Sequence, residues 1–395
     1  MTSLTKNRIE SIDILRGIVM VIMALDHVRD YFHIAAFTDD PLNLATTTPF
    51  LFFTRWITHF CAPVFIFLSG TSIYLQSLRK TKKELSAFLI KRGLWLIVAE
   101  ITVISFAWTF NPYMNVSVLQ VIWAIGISMV ILGLCIYLPF NVILGLGLII
   151  VFGHNLLDIP ESAPGFKGGI WWDLMHHGSF VNYPYVPNHS FMIVYPFLPW
   201  AGLMMLGYCA GIFFGPEFSE EKRKKILTQL GLAAILLFVA LRFVNSYGDP
   251  VAWNTQRTGM LTFLSFLDIH KYPPSLLYMC ITIGPALVLL PFLENIRNGF
   301  TNIMRTFGRV AFFYYIAHIF FIHLIAVVCY LINGHTIQEL GTSKLFFYFI
   351  IPGQGYGLPV VYGVWGFVII ALYPLCKWYD KYKTNHPEKW WLSYL

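Results

Sequence analysis

Charge is what this sequence has least of. Asp, Glu, Lys and Arg make up 12% of its 395 residues, about half the share of an ordinary soluble domain. A soluble globule needs more charge than this to solvate its outside, and a disordered chain cannot be 57% hydrophobic, so both classes are excluded. Paired cysteines are missing as well. The six Cys stand singly, with no CxxC motif, so neither a disulfide framework nor a zinc site is expected, and each reads as a small buried hydrophobe. No cleavable leader is expected either, because the first apolar run contains Arg16 and lacks a small-residue cleavage site. Without an internal repeat or a long linker, residues 1–395 read as one integral membrane domain, embedded over about 12–378 with a cytoplasmic tail at 379–395.

What abounds is apolar sequence, with 35 Phe, 21 Tyr and 12 Trp. A helix crossing a bilayer needs about 20 mostly apolar residues. Ten such stretches can be marked, at about 12–33, 50–78, 87–110, 116–137, 139–156, 194–215, 226–246, 274–294, 308–333 and 357–378. The fold class is therefore all-α, a polytopic transmembrane bundle of about ten spans. The apolar piece 344–351 is too short to span; it reads as re-entrant, or as the start of a final helix interrupted by Pro352 and Gly353.

The net charge of +7 sorts by side of the membrane. With both termini cytoplasmic, 20 of the 27 Lys and Arg fall on the inner side. They include Lys6, Arg8 and Arg16, the clusters at 79–92 and 222–225, and Arg297, Arg305 and Arg309. The other seven, Arg29, Arg55, Lys167, Arg242, Arg257, Lys271 and Lys344, lie towards the outer side. This alternation is a topology signal and not the footprint of a nucleic acid. The inner clusters could hold the phosphates of a cytoplasmic cofactor such as coenzyme A, although positive-inside sorting explains them without any ligand.

An ionisable group inside hydrocarbon costs several kcal/mol unless paired or wetted, so each is a candidate site residue. The first helix holds Asp26, His27, Arg29, Asp30 and His33. Eleven residues above Arg16, His27 stands about 16 Å up, near mid-bilayer. Asp26 and Asp30 share a face, and His27 and Asp30 are a turn apart. A carboxylate beside an imidazole fixes its tautomer and raises its basicity, as a general base or acyl-accepting His requires. An ion-pair knot of Asp26 with Arg29 and Asp30 with His33 explains the same residues without chemistry.

In the second span Arg55 and His59 share a face, ahead of Pro63, which frees a carbonyl and can kink the helix. In the ninth, His318 and His323 lie five residues apart, too far round the helix for a metal pair, and Tyr314 stands one turn from His318. The segment 157–193 mixes Trp171, Trp172, Asp173, His176, His177 and His189, which suits either a sugar or an interfacial aromatic belt. The His176-His177 pair has no partner at metal spacing, so no metal is expected. Asp268 and Lys271 lead into the eighth span.

The run Arg8-Ile-Glu-Ser-Ile-Asp13-Ile-Leu-Arg16-Gly17 resembles the start of several polytopic acyltransferase families. Together with Leu25-Asp-His-Val-Arg-Asp-Tyr-Phe32, Ala62-Pro-Val-Phe-Ile-Phe-Leu-Ser-Gly70, Lys271-Tyr-Pro-Pro-Ser-Leu-Leu277 and Gly308-Arg…Tyr-Ile-Ala-His318, it is similar to a bacterial member of the heparan-α-glucosaminide N-acetyltransferase-like family, over about residues 8–325. The resemblance implies transfer of an acetyl group from cytoplasmic acetyl-CoA, across the membrane, to an amino sugar or glycan on the far side. It also implies a bacterial cytoplasmic membrane as the location, and it is compatible with a homodimer. His33 is the nearest positional match to the family's key His, His59 belongs to the bacterial pattern, and His318 matches a late-helix His. The expected catalytic set is His27, His59, Asp26, Asp30 and Arg29, with Arg55, His33, His318, Tyr314, Lys271 and Asp268 contacting substrate. A proton-coupled transporter using the same intramembrane Asp/His set is the rival reading.

Overall fold

Each of the ten apolar stretches is occupied by a helix in the computed structural model, which describes residues 9–178, 180–342 and 345–393. Lys6, Arg8 and Lys344 of the charge map lie outside the described residues. The chain begins with α1 (Glu10–Phe32), α2 (Pro49–Trp56), α3 (Cys61–Ser77), α4 (Lys82–Ala99) and α5 (Ser105–Thr109). A strand β1 (Val116–Leu119) precedes α6 (Val121–Cys135) and α7 (Phe140–Gly153). Short helices α8 (Asp158–Glu161) and α9 (Gly169–Met175) lead to β2 (Val181–Val186) and β3 (His189–Ile193). Then follow α10 (Phe197–Ala210), α11 (Glu220–Val244), α12 (Gly259–Leu267), α13 (Leu276–Phe292), α14 (Gly299–Arg309), α15 (Ala311–Ile332) and α16 (Leu358–Asn385).

Among the described residues, six helical segments are long and apolar enough to cross a membrane: Pro49–Ser77, Phe140–Glu161, Phe197–Phe214, Glu220–Val244, Ala311–Ile332 and Leu358–Asn385. Shorter apolar helices, α6 and α13, stand beside them. The protein is an all-α polytopic helical bundle. Three details differ from the sequence reading. Residues 116–119, expected to open a span, form the strand β1, which pairs in parallel with β3 in a small sheet of order β1-β3-β2. The expected span at 308–333 is broken at Val310, where φ −118° and ψ 33° leave the helical region, so α14 and α15 are separate. Residues 345–350 form bends instead of a helix, held to the bundle by Tyr348 N–H donating to the Thr109 carbonyl at 2.8 Å.

Close helix crossings hold the bundle together, and in lipid these rest on packing more than on the hydrophobic effect. A Cβ added to Gly17 of α1 would fall on the Met304 carbonyl of α14, and one added to Gly308 would fall on the Asp13 carbonyl of α1. Gly70 with Gly207 does the same for α3 and α10, and Gly93 with Gly126 for α4 and α6. The Gly of the Arg16-Gly17 motif is thus where α14 comes nearest.

Local signals set the helix ends. Thr81 and Glu84 form a capping box at the start of α4, and Ser275 caps α13 through the Tyr278 N–H. Between α4 and α5 the helix loosens into a π-turn (Glu100–Ile104). The Glu100 carboxylate leaves its own helix there and accepts the Trp123 N–H at 2.7 Å, at the amino end of α6.

Candidate active site

A cavity of 1640 Å³ runs along α1. On that helix its wall includes Asp13, Arg16, Met20, Met23, Asp26, His27 and Asp30, a rise of about 26 Å at 1.5 Å per residue. At one end Arg79, Lys80, Arg92, Arg309 and Lys383 line it, and Arg79 and Lys80 are exposed, so the cavity opens there. Phe88 lies between two of these cations, 5.4 Å from Lys80 Nζ and 6.0 Å from the Arg92 guanidinium. Arg16 reaches in just above them, donating to Ser72 Oγ at 3.0 Å and pairing with Asp13 at 3.2 Å. The other end is lined by Trp108, Tyr195, Lys271, Tyr272 and Tyr315 with Asp26, His27 and Asp30. The cavity therefore joins a basic mouth to a buried polar chamber through an apolar middle.

His27 faces this chamber and is tied from behind. Its Nδ1 lies 2.7 Å from His318 Nε2, and His318 Nδ1 lies 2.7 Å from the Tyr314 carbonyl. A carbonyl only accepts, so His318 carries its proton on Nδ1 and presents a bare Nε2. His27 must then donate from Nδ1, which leaves its Nε2 as an unprotonated lone pair. The Tyr314 ring stacks on His318 with centroids 4.9 Å apart, and Trp108 meets His27 edge-on at 4.7 Å. Packing thus fixes both imidazole planes. The sequence reading gave the orienting role to Asp26 or Asp30, whereas the group bonded to His27 is His318. Tyr314 bonds His318 through its backbone carbonyl, not its hydroxyl.

The carboxylates are engaged elsewhere. Arg29 donates to Asp26 at 2.9 Å and to Asp30 at 2.6 Å, and Arg55 pairs with the second oxygen of Asp26. Asp30 therefore pairs with Arg29 and not with His33. Helices α1 and α2 are linked beside the chamber by this charge network, in which each charge has an opposite partner. Lys271 projects over the Tyr272 ring, 5.1 Å from its centroid.

Of the eleven expected site residues, Asp26, His27, Asp30 and Lys271 line the cavity; Arg29, Arg55, His318 and Tyr314 stand behind that wall, and His59, His33 and Asp268 lie apart from it. His59 sits in the one-turn helix Ile57–Phe60, 1% exposed, and among the described residues neither ring nitrogen has a hydrogen-bond partner. Its ring is 5.3 Å from that of Tyr278, and its neighbours Thr58 and Cys61 do line the cavity. His33 closes α1, where its Nδ1 accepts the Ala35 N–H at 3.2 Å. Asp268 belongs to a different knot: Arg242 donates to its backbone carbonyl and lies 3.8 Å from Asp249. Burial, together with the Asp40 and Asp249 charges, lifts the Asp268 carboxyl to about 6 against the pull of Arg242. His323 is also structural, bonded to the Ala107 and Tyr348 carbonyls at 3.0 and 2.9 Å.

Sequence reading missed Trp108, Tyr195, Tyr272 and Tyr315 as chamber residues. Tyr272 had a signal, since it adjoins Lys271 in the motif, but the others are indistinguishable from ordinary core aromatics. No curated protein matches the chain. Residues 8–244, more than half of the sequence, match the family described as heparan-alpha-glucosaminide N-acetyltransferase, catalytic, and the chain belongs to that family.

Proposed function

We propose that this protein is a membrane acetyltransferase that receives acyl-CoA at the basic mouth and passes the acetyl group to an amino sugar or glycan acceptor at the chamber of His27. The observation that carries the reading is the continuity of one cavity from Arg79, Lys80 and Arg92 to His27 and Lys271. Five cations at the mouth suit the phosphates of coenzyme A, and Phe88 offers an aromatic face to its base. The apolar stretch past Met20 and Met23 suits the uncharged pantetheine arm, which would bring the thioester towards His27.

In the chamber, the unprotonated Nε2 of His27 takes a proton from the acceptor amine as the amine nitrogen attacks the thioester carbonyl. The carbonyl carbon gains a C–N bond, and the oxyanion is met by Lys271. On collapse the C–S bond breaks, and the coenzyme A thiolate leaves with the proton held on His27. The same lone pair also suits the alternative course, in which Nε2 attacks the carbonyl first and an acyl-imidazole then yields to the acceptor. His59, buried beside Arg55 with both ring nitrogens unbonded among the described residues, is the second candidate base. The Arg29, Asp26, Asp30 and Arg55 network positions the chamber wall.

The test uses the full chain in nanodiscs with radiolabelled acetyl-CoA and glucosamine. Expected are saturable binding of acetyl-CoA and label on the sugar, with transfer lost and binding kept in His27→Ala. A wild-type protein that neither binds acetyl-CoA nor releases coenzyme A sinks the reading. Uptake of a labelled solute into proteoliposomes without acetyl-CoA would turn the assignment to a permease.

A further inference from the structure

A second cluster of titratable side chains lies apart from the cavity. His154, Asp158 and Glu161 follow one another at i, i+4 and i+7, where a 3-10 turn (His154–Leu157) runs into α8. Those spacings put the three on one helical face. His176, directly after α9, comes against that face. Ligand atoms of Asp158, Glu161 and His176 all lie within 4.8 Å of one another. His176 Nδ1 is 2.8 Å from Glu161 Oε1, and its Nε2 is 3.0 Å from His154 Nδ1.

Two features of the cluster are unexplained by hydrogen bonding alone. The two carboxylates sit together, yet among the described residues neither is ion-paired to a Lys or Arg. In addition, His154 is 3% exposed and its Nε2 has no hydrogen-bond partner among the described residues. The half-buried carboxylate pair has no Lys or Arg to balance its charge, which a dication held with His176 would do. The ligand-bearing groups are also held from outside. Trp172 Nε1 donates to Glu161 Oε1 at 2.7 Å, and Asn155 Nδ2 donates to Asp158 Oδ2 at 2.7 Å, which is how metal-binding carboxylates are oriented.

We propose that His176, Asp158 and Glu161 bind a divalent transition-metal ion of the zinc class, with His154 Nδ1 holding the His176 ring in place from its far nitrogen. One imidazole and two carboxylates suit zinc by donor type, and the carboxylates balance its charge. The site's place in the fold gives it a structural consequence. Asn155 also accepts the Leu276 N–H at 2.9 Å, at the start of α13 and just after the Lys271-Tyr272 loop. A bound ion would fasten 154–161 and the end of α9 to the segment that walls the chamber.

The experiment uses the full chain without any histidine tag, stripped with a chelator and then freed of it. Zn2+ is titrated calorimetrically, and Co2+ is followed by its visible absorption. One equivalent per chain is expected, with four-coordinate Co2+ bands. His176→Gln and Asp158→Asn should each weaken binding by about 10-fold or more, while His189→Ala, at a partly exposed His bonded to the Tyr113 carbonyl, should leave it unchanged. Should His176→Gln fail to fold, Asp158→Asn, near-isosteric at a half-buried position, decides the matter. Absence of Zn2+ and Co2+ binding in the wild type overturns the proposal. So does binding that is unaltered in Asp158→Asn, and the cluster is then a plain hydrogen-bonded chain.

Discussion

At the scale of single residues, the proposed chemistry depends on which nitrogen of His27 is bare. The Tyr314 carbonyl decides this two steps away, through His318. His318→Leu removes the acceptor for His27 Nδ1–H and should lower kcat by roughly 10- to 100-fold, part of the 10²–10⁴ that a positioned base contributes. Because His318 does not line the cavity, KM for acetyl-CoA should hardly move. His318→Gln, whose amide oxygen can accept the same proton, should recover most of the rate. Equal loss in both variants would reduce His318 to a packing residue. Asp268 gives a contrasting expectation. Its carboxyl is raised to about 6 in the folded protein by burial and by Asp40 and Asp249, above about 3.9 for an unfolded chain. The folded state therefore binds this proton more tightly, and the stability it confers is lost as pH rises from about 4 to about 6. Asp268→Asn should raise the melting temperature above pH 6, have little effect near pH 4, and leave KM for either substrate alone.

At the scale of elements, glycine crossings are the sensitive points. Overpacking a well-filled core costs about 1–3 kcal/mol, and at Gly308 the obstacle to a new methyl is the backbone of α1 at Asp13, which cannot rotate aside. Gly308→Ala should therefore lower the melting temperature by several degrees and also reduce acetyl-CoA affinity, since α1 and α14 wall the mouth together through Asp13, Arg16 and Arg309. Gly363→Ala on α16, where an added Cβ meets nothing within 4 Å, is the matching control and should melt like the wild type.

The helices themselves were legible because hydrocarbon demands long apolar runs, and each run shows in the chain as it stands. Strand β1 was not, since Val116-Ser-Val-Leu119 is too short to carry a period and gains its pairing from β3, more than seventy residues on. The site divides the same way. Asp26, Arg29 and Asp30 meet within one helix, so spacing alone brought them together. His27 and His318 are 291 residues apart in sequence, and only the packing of α1 on α15 brings them into contact. The partners of His176 were hidden for a related reason: Glu161 lies 15 residues upstream, outside any local ligand spacing.

At the scale of the whole molecule, the charge asymmetry and the cavity bear on the same question. The end at which the cavity opens is lined by Arg79 and Lys80 of the α3–α4 loop and by Arg92 of α4, and the positive-inside rule places such Lys/Arg-rich loops in the cytoplasm. Acyl-CoA would then enter from the cytoplasm, and only its uncharged arm need pass Met20 and Met23. Met23 stands one helical turn from His27, on the way from mouth to chamber. Met23→Trp adds bulk there without touching the cations or the base. Acetyl-CoA should still bind, because the mouth is unchanged, but transfer should fall at least about 10-fold, given what small misplacements of reacting groups cost. Met23→Leu, which conserves volume, should behave like the wild type. Sidedness is read in the same preparation. Inside-out vesicles should consume acetyl-CoA without permeabilisation, and right-side-out vesicles only after it. Full activity in intact right-side-out vesicles would place the basic mouth outside and reverse the direction of transfer.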